Sequence, residues 1–383
     1  MRKAVRYLLL LILLICLAYG IWSRCGRRAP QGPPQLKLGG VYTFGKDLGA
    51  GNLLIVQPYM LVGDYATGER FYRKLSGYLD AAQRHGLINE KTLVLLPEYL
   101  GAWLIVAGEK SAVYQMRTTN EATRALVQSN APSFFLSFVG SEESDRAQAA
   151  LFRMKAKAMA GIYQQVVARL AKQFGATIVA GSILLPTPTL RDGVLVAGKG
   201  PLFNVSVVYG PDGNAKALAT KVFLTKDEQR FLRAGSLRDL PVIETAAGRL
   251  GILICADSWY PAAYRSLRAR RAEIIAVPAF VSGDGKWKKR WNGYDGWPAP
   301  DDVDSKDLRH LSEEEAWLKY ALPGRLESSG ASAGCVAFLR GELWDLGSDG
   351  ASFGVLGGRL HVSPLRDGAA IVNLWLPRRL HNP

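Results

Sequence analysis

A layered α/β fold with a mixed β-sheet is the fold class that the 383-residue sequence predicts. Apolar runs such as LVLLP and LGILI are too short for helices and are typical of buried strands. Residues 69–85, which lie between strand candidates, carry apolar side chains at helical spacing. A Pro-Asp-Gly turn at residues 211–213 joins two further strand candidates as a hairpin. Strands that alternate with helices and include a hairpin are typical of layered α/β proteins.

The N-terminal segment predicts a membrane anchor. Residues 7–22 form an unbroken apolar run that follows three basic residues. The run is short for a membrane span, which needs about 20 residues, so a signal peptide is the alternative. Tyr19 and Trp22 suit the interfacial end of a span, and no clear cleavage site follows them. We predict an uncleaved anchor or signal-anchor helix over residues 1–23 that contacts the membrane through residues 7–22.

The charges around this helix bear on its orientation and on the class of partner. Three basic residues precede the apolar run and three follow it, so the positive-inside rule nearly cancels. The N-terminal amine adds to the first cluster, and we expect a single-pass protein of the cell membrane with an extracytoplasmic body. The net charge is +15, but residues 1–37 hold seven basic residues and no acidic one. This juxtamembrane charge favours anionic lipid headgroups, and no nucleic-acid partner is expected.

The remaining elements follow in order along the chain. A Pro/Gly-rich basic linker is predicted for residues 24–50, and one globular domain for residues 51–383. Helices are expected over residues 69–85, 147–174 and about 261–271. Buried strands are expected at NLLIVQPYML, TLVLLPEYL, TIVAGSIL, PLFNVSVVYG, AKALATKVFL, GRLGILIC and AEIIAVPAF.

Two segments fit this alternation poorly and are predicted to be insertions. Residues 99–146 contain the apolar run APSFFLSFVG, and residues 283–307 are dense in lysine and tryptophan. They are either lids over a binding site or surface excursions whose aromatic side chains pack onto the body. The sequence favours neither interpretation.

One cysteine stands where a nucleophile would. The strand candidate ending at Ile254 delivers Cys255 into a tight corner, and Asp257 follows two residues later. A thiol at such a corner is exposed at the end of a sheet, beside the backbone N–H of the next residue. The alternative is that Cys255 is a small buried apolar residue.

Three charged residues share this placement at strand ends. Glu98 follows the run LVLLP, Lys221 precedes Val-Phe-Leu, and Glu228 lies seven residues beyond Lys221. Each alone is also consistent with an ordinary surface residue. A carboxylate at the end of a buried strand is costly without a partner, and a lysine supplies one. A base, a cation and a thiol together are what nucleophilic attack on a carbonyl requires.

Through these residues the chain resembles the nitrilase superfamily, the carbon–nitrogen hydrolases with a Glu-Lys-Cys triad. The resemblance implies a four-layer α-β-β-α sandwich that follows the anchor helix. The matching segments run in chain order through nearly the whole body: LLPEY, FNVSVVYGPDG, TKVFL, GILICADSWYPAAYR, RRAEIIAVPAF and GRLESSG.

The resemblance also implies roles for individual residues. Cys255 would be the nucleophile, Glu98 the general base and Lys221 the stabiliser of the tetrahedral intermediate. Glu228 would be the second glutamate, although the family usually places it eight residues after the lysine. The backbone of Ala256 would assist at the oxyanion. Substrate contacts are expected from the backbone of Ala256 and from the side chains of Tyr99 and Trp259.

These features predict a membrane-anchored, amidase-like carbon–nitrogen hydrolase that cleaves a non-peptide C–N bond through a cysteine thioester. The substrate would be a small-molecule or lipid-like amide, and the family resemblance implies a homo-oligomer. No metal is expected, because the four histidines are scattered, and the chemistry needs no organic cofactor. The alternatives are an N-acyltransferase with a lipid-like acyl donor, a nitrilase, and a non-catalytic membrane-tethered binding module.

Overall fold

The computed structural model describes residues 2–364 and 368–378. It begins with helix α1, whose apolar side chains are exposed along its length. Within the described part of the chain, α1 is the one helix long and apolar enough to cross a membrane. The helices are α1 (Arg2–Arg24), α2 (Gly68–Arg84), α3 (Thr119–Ser129), α4 (Ala131–Val139), α5 (Arg146–Phe174), α6 (Lys226–Gln229), α7 (Pro261–Ala269), α8 (Glu313–Tyr320) and α9 (Leu322–Arg325).

The strands form two mixed sheets and two small ribbons. Their bounds are β1 (Leu38–Phe44), β2 (Asn52–Gln57), β3 (Tyr59–Leu61), β4 (Thr92–Leu96), β5 (Thr177–Ala180), β6 (Ile183–Pro186), β7 (Thr189–Arg191), β8 (Val194–Val196), β9 (Leu202–Tyr209), β10 (Ala215–Thr220), β11 (Val242–Thr245), β12 (Gly248–Ile252), β13 (Ile274–Ala279), β14 (Ala333–Phe338), β15 (Arg340–Glu342), β16 (Phe353–Leu356), β17 (Arg359–Val362) and β18 (Ala369–Trp375). The first sheet has the order β1-β18-β2-β4-β5-β9-β10, with β6 also paired to β9. The second has the order β11-β12-β13-β14-β16-β17, and β3 pairs with β15 and β7 with β8.

Alternate faces of the strands build a four-layer sandwich. Leu53 and Ile55 of β2 pack against the second sheet, whose β12 contributes Leu250 and Ile252 to the same buried cluster. The intervening residue Leu54 points to the opposite face, where α2 and α5 cover the first sheet. Helices α7 and α8 cover the outer face of the second sheet in the same way. This period-two burial confirms the predicted α-β-β-α architecture.

The predicted helices over residues 69–85 and 147–174 are confirmed to within one residue as α2 and α5. Helix α2 begins where the Thr67 hydroxyl accepts a hydrogen bond from the Arg70 N–H at 3.1 Å, an N-cap interaction. Helix α5 ends at Gly175, which adopts the left-handed conformation common after a helix.

Two expectations about strands are wrong. Part of the predicted linker, residues 38–44, forms β1 and pairs in parallel with β18, more than 300 residues away. Such a distant partner leaves no local signal in the sequence. The segment TIVAGSIL is two strands rather than one, because the chain turns at Gly181 with φ of 71°. A Cβ there would lie 2.1 Å from the Pro97 carbonyl oxygen, so only glycine fits.

The two predicted insertions differ in character. Residues 99–146 hold two 3-10 helices followed by α3 and α4. In residues 283–307 the side chains of Trp287 and Trp291 are buried in the core beside α8, as the packing interpretation expects. Trp297 is by contrast 41% exposed. This segment therefore packs onto the body and also contributes residues 291–295 to the cavity described below.

Candidate active site

The ends of four elements bring the predicted catalytic side chains together. Glu98 lies two residues after β4, and Lys221 comes directly after β10. Glu228 lies on the one-turn helix α6, and Cys255 lies three residues after β12. All four side chains line one cavity. Polar groups at the ends of strands are held by a rigid sheet, which fixes their mutual geometry.

The backbone at Cys255 is strained, and Asp257 holds it in place. Cys255 has φ of 46°, a left-handed conformation that a non-glycine residue rarely adopts and that is common at active sites. One Asp257 oxygen accepts the backbone N–H groups of Val222 and Phe223 at 2.9 and 2.7 Å. The other accepts the N–H of Ile254 at 3.1 Å. Asp257 thus ties the cysteine corner to the segment that follows Lys221.

Lys221 stands between two buried carboxylates. Its Nζ atom lies 2.8 Å from Glu98 Oε1 and 2.7 Å from Glu228 Oε2. The Asn204 amide donates to both carboxylates, at 2.9 Å to Glu98 and 3.1 Å to Glu228. The Tyr99 hydroxyl also donates to Glu228. Because the lysine and both carboxylates are buried, each charge depends on its partner for stabilisation.

The pKa values of the two carboxyl groups are shifted in opposite directions. Burial raises the pKa of Glu98, and the charge of Glu228 adds to this, against the pull of Lys221. For Glu228, burial raises the pKa, but the charge of Lys221 together with hydrogen bonds from Lys221, Tyr99 and Thr225 outweighs burial and lowers it. For Lys221, the two carboxylates outweigh burial and raise the pKa well above its ordinary value. Glu228 therefore stays ionised beside the lysine, and Glu98 is the carboxyl group suited to exchanging a proton.

The Cys255 thiol is protonated in the resting site. Burial is the main cause that raises its pKa well above the ordinary value, and the charge of Glu98 acts in the same direction. The sulfur lies 3.7 Å from the carbonyl oxygen of Phe280. A base is therefore needed if the sulfur is to act as a nucleophile, and Glu98 lines the same cavity as this thiol.

The cavity has a volume of about 700 Å³, a size typical of small-molecule sites. The predicted substrate contacts Tyr99, Ala256 and Trp259 all line it. Ala256 is in the first turn of a 3-10 helix, where N–H groups have no partner within the helix. Much of the remaining wall is aromatic, from Trp103, Phe152, Phe231, Tyr260, Phe280, Trp291, Tyr294 and Trp317.

Two residues of this arrangement were not predicted to act in the site. Asn204 lies within the strand segment FNVSVV, which was noted as a matching segment but in which no residue was assigned a role. Asp257 was noted for its place after the cysteine, but its bonds to residues 222 and 223 depend on the fold.

Cys335 lies in the core between the sheets, away from these charged groups.

Sequence comparison identifies the family. The profile of the carbon-nitrogen hydrolase family matches residues 73–293, more than half of the chain. This chain belongs to that family. The predicted membership of the nitrilase superfamily, and with it the enzyme class of carbon–nitrogen hydrolase, is confirmed.

Individual relatives agree with the family. A deaminated glutathione amidase of Yersinia enterocolitica is 30% identical over 139 residues, which are 33% of this chain and 46% of that protein. One of Synechocystis sp. is 27% identical over 204 residues, 49% of this chain and 69% of that protein. The matched part thus spans about half the length of the first relative.

Solved structures share the fold. An amidase from Nesterenkonia sp. AN1 superposes with a TM-score of 0.51 at 15% identity, covering 86% of this chain and 93% of the amidase. A carbon-nitrogen hydrolase from Helicobacter pylori G27 superposes with a TM-score of 0.53 at 17% identity, covering 85% and 88% of the two chains. At sequence identities this low, the structural similarity supports a shared fold.

Proposed function

We propose that this protein is a membrane-anchored amidase that cleaves a non-peptide C–N bond through a thioester on Cys255. One observation carries the proposal. The strained Cys255 opens onto the cavity beside a Lys221 that is held between Glu98 and Glu228. A module without catalytic activity has no need to bury three charges next to a thiol, since burial of charge is costly.

The first half of the reaction forms the thioester. Glu98 takes the thiol proton as the Cys255 sulfur attacks the amide carbon. The negative charge that develops on the amide oxygen is stabilised by the Lys221 ammonium and the Ala256 N–H. Glu98 then returns the proton to the nitrogen, the C–N bond breaks, and the amine leaves.

The second half restores the enzyme. Glu98 removes a proton from a water molecule as that water attacks the thioester carbon. Lys221 and the Ala256 N–H stabilise the second tetrahedral intermediate in the same way as the first. Its collapse breaks the C–S bond, returns a proton to Cys255 and releases a carboxylic acid.

The substrate we propose is a small-molecule or lipid-like amide. The cavity is large enough for an acyl group of considerable size, and its many aromatic side chains favour an apolar one. The relatives named deaminated glutathione amidase support an amide as the bond that is cleaved.

Membrane anchoring is the second part of the proposed function. The exposed apolar surface of α1 is unfavourable in water and favourable in lipid. Tyr19 and Trp22 near its end suit the headgroup region. The body contacts the last turns of this helix, because the Lys110 Nζ atom donates to the Trp22 carbonyl at 2.7 Å. We place the body on the extracytoplasmic side of the cell membrane.

Turnover assays on a panel of amides, nitriles and acyl esters test the chemistry. The full-length protein should release carboxylic acid from amides, and Cys255→Ala should abolish this release. Cys335→Ala, at the buried cysteine between the sheets, should leave it unchanged. Unchanged turnover in Cys255→Ala would refute the nucleophile. Transfer of the acyl group only to an added amine would identify an N-acyltransferase instead.

A further inference from the structure

An apolar patch on helix α4 lies outside the active site. The side chains of Phe135, Leu136 and Val139 are 63%, 74% and 60% exposed. Outside α1, no other large apolar side chain of the described residues is more than 45% exposed. The exposed apolar side chains of α1 itself span 47% to 71%. The side chains of the patch are therefore as exposed as those of α1, the helix proposed to lie in lipid.

The patch is held rigidly on the body. Val139 lies four residues after Phe135 and three after Leu136, spacings that make side chains neighbours on a helix surface, and this surface points away from the protein. On the other face, Phe134 packs against the core cluster that contains α5. Phe138 lies 5.9 Å from Phe134 between ring centroids, and the Arg146 guanidinium covers the Phe138 ring. The exposed face is thus a fixed surface, and folding leaves it unpartnered.

Hydrogen bonds place the patch beside the end of α1. The Tyr19 hydroxyl donates to the Gln128 carbonyl at 2.9 Å and accepts the Ala131 N–H at 2.8 Å. Arg27 donates to the Ser129 carbonyl at 3.0 Å and to the Asn130 side chain at 3.1 Å. Ala131 is the first residue of α4. The start of α4 therefore lies at the level of Tyr19, where the apolar part of α1 ends.

We propose that α4 is a second membrane contact, whose face of Phe135, Leu136 and Val139 enters the interfacial zone of the bilayer that α1 spans. This inference rests on the proposed membrane anchoring. We propose that lipid covers this face, because α4 contains no ionisable residue and adjoins the end of an apolar helix.

The charged residues next to the patch are consistent with a shallow position of α4 in the bilayer interface. Arg24 and Arg28 at the end of α1 are exposed and favour anionic headgroups. Glu142, which follows α4, is exposed and limits how deep the helix enters. Two contacts, one spanning and one interfacial, fix the orientation of the body on the membrane.

Fluorescent labelling of the full-length protein in vesicles tests the inference. Single cysteines carrying an environment-sensitive dye are placed at position 136, at 360 as a matched control and at 12 as a reference within the anchor. Leu360 is 40% exposed on strand β17 at the edge of the second sheet. The competing cysteines are removed with Cys16→Ser, Cys25→Ser and Cys255→Ala, and Cys335 is buried.

Quenching of the dye decides the outcome. In phosphatidylcholine–phosphatidylglycerol vesicles, nitroxide lipids should quench positions 136 and 12 several-fold more than position 360, and iodide in the buffer should quench mainly 360. If position 136 behaves like 360 while 12 is in lipid, the second contact is refuted and anchoring stands. If position 12 is also reached by iodide, anchoring fails and the second contact with it.

Discussion

Lys221 carries one positive charge between two buried carboxylates. One cation cannot balance two anions, so the two carboxyl groups differ in how readily they take up a proton. Glu228 keeps its charge because its pKa is lowered, whereas the pKa of Glu98 is raised by burial and by Glu228. Glu98 is therefore the carboxylate that takes up and releases a proton in the proposed reaction.

The dependence of kcat/KM on pH should reflect this raised pKa. Glu98 must be deprotonated to act as a base, so activity should fall as the pH decreases through the pKa of Glu98. The midpoint of the acidic limb should lie above 4.5, the ordinary value for glutamate. Glu228→Gln removes a charge that raises the pKa of Glu98, so the limb should move to lower pH. A limb that stays in place in Glu228→Gln would contradict the assignment.

Asn204 should act as a positioning residue for both carboxylates. Asn204→Asp places a third carboxylate beside Glu98, and the acidic limb should therefore move to higher pH. Asn204→Ala removes the two hydrogen bonds without adding charge and should lower kcat with a smaller shift of the limb. Ser206→Ala, at a buried residue of the same strand, is the matched control. Equal pH profiles for Asn204→Asp and Asn204→Ala would refute this role.

Single residues were predictable from the sequence where they interrupt an apolar run. Glu98 after LVLLP and Cys255 after LGILI stand out because a charged or reactive group follows a buried strand. Asn204 does not stand out, because its partners come from β4 and α6 and only the folded chain brings them together.

At the scale of elements, the corner after β12 depends on Asp257. This carboxylate accepts three backbone N–H groups that would otherwise be buried without partners. Asp257→Ala should destabilise the protein by about 3 kcal/mol or more, since each of the three unpaired buried donors costs roughly 1–3 kcal/mol. Thermal and urea unfolding measure this loss. The exposed Asp239→Ala is the control, and equal stability of the two variants would show that the corner is held by other contacts.

Elements with strong local periodicity were predictable, and those that depend on distant partners were not. Helices α2 and α5 have apolar faces at helical spacing and agree with prediction to within one residue. Strand β1 exists because β18 pairs with it, and residues 38–44 read locally as part of a glycine-containing linker. The turn at Gly181 results from close approach to Pro97, which belongs to a different strand segment.

At the scale of the whole molecule, the proposed anchor would determine the compartment in which the enzyme works. The expected orientation places the body outside the cytoplasm. A reporter fused after Pro383 should be active only on the extracytoplasmic side, and the protein should stay in the membrane fraction after carbonate extraction. Reporter activity in the cytoplasm would reverse the orientation. Release by carbonate would refute the anchor itself.

An acyl group trapped on Cys255 would be the most direct evidence for the proposed chemistry. Full-length protein is mixed with the amide panel, quenched in acid within the first turnovers and measured by intact-protein mass spectrometry. The predicted result is an added acyl mass, mapped to the peptide that contains Cys255 and absent from Cys255→Ala. Turnover of an amide with no adduct on Cys255, or an adduct that persists in Cys255→Ala, would contradict a thioester mechanism.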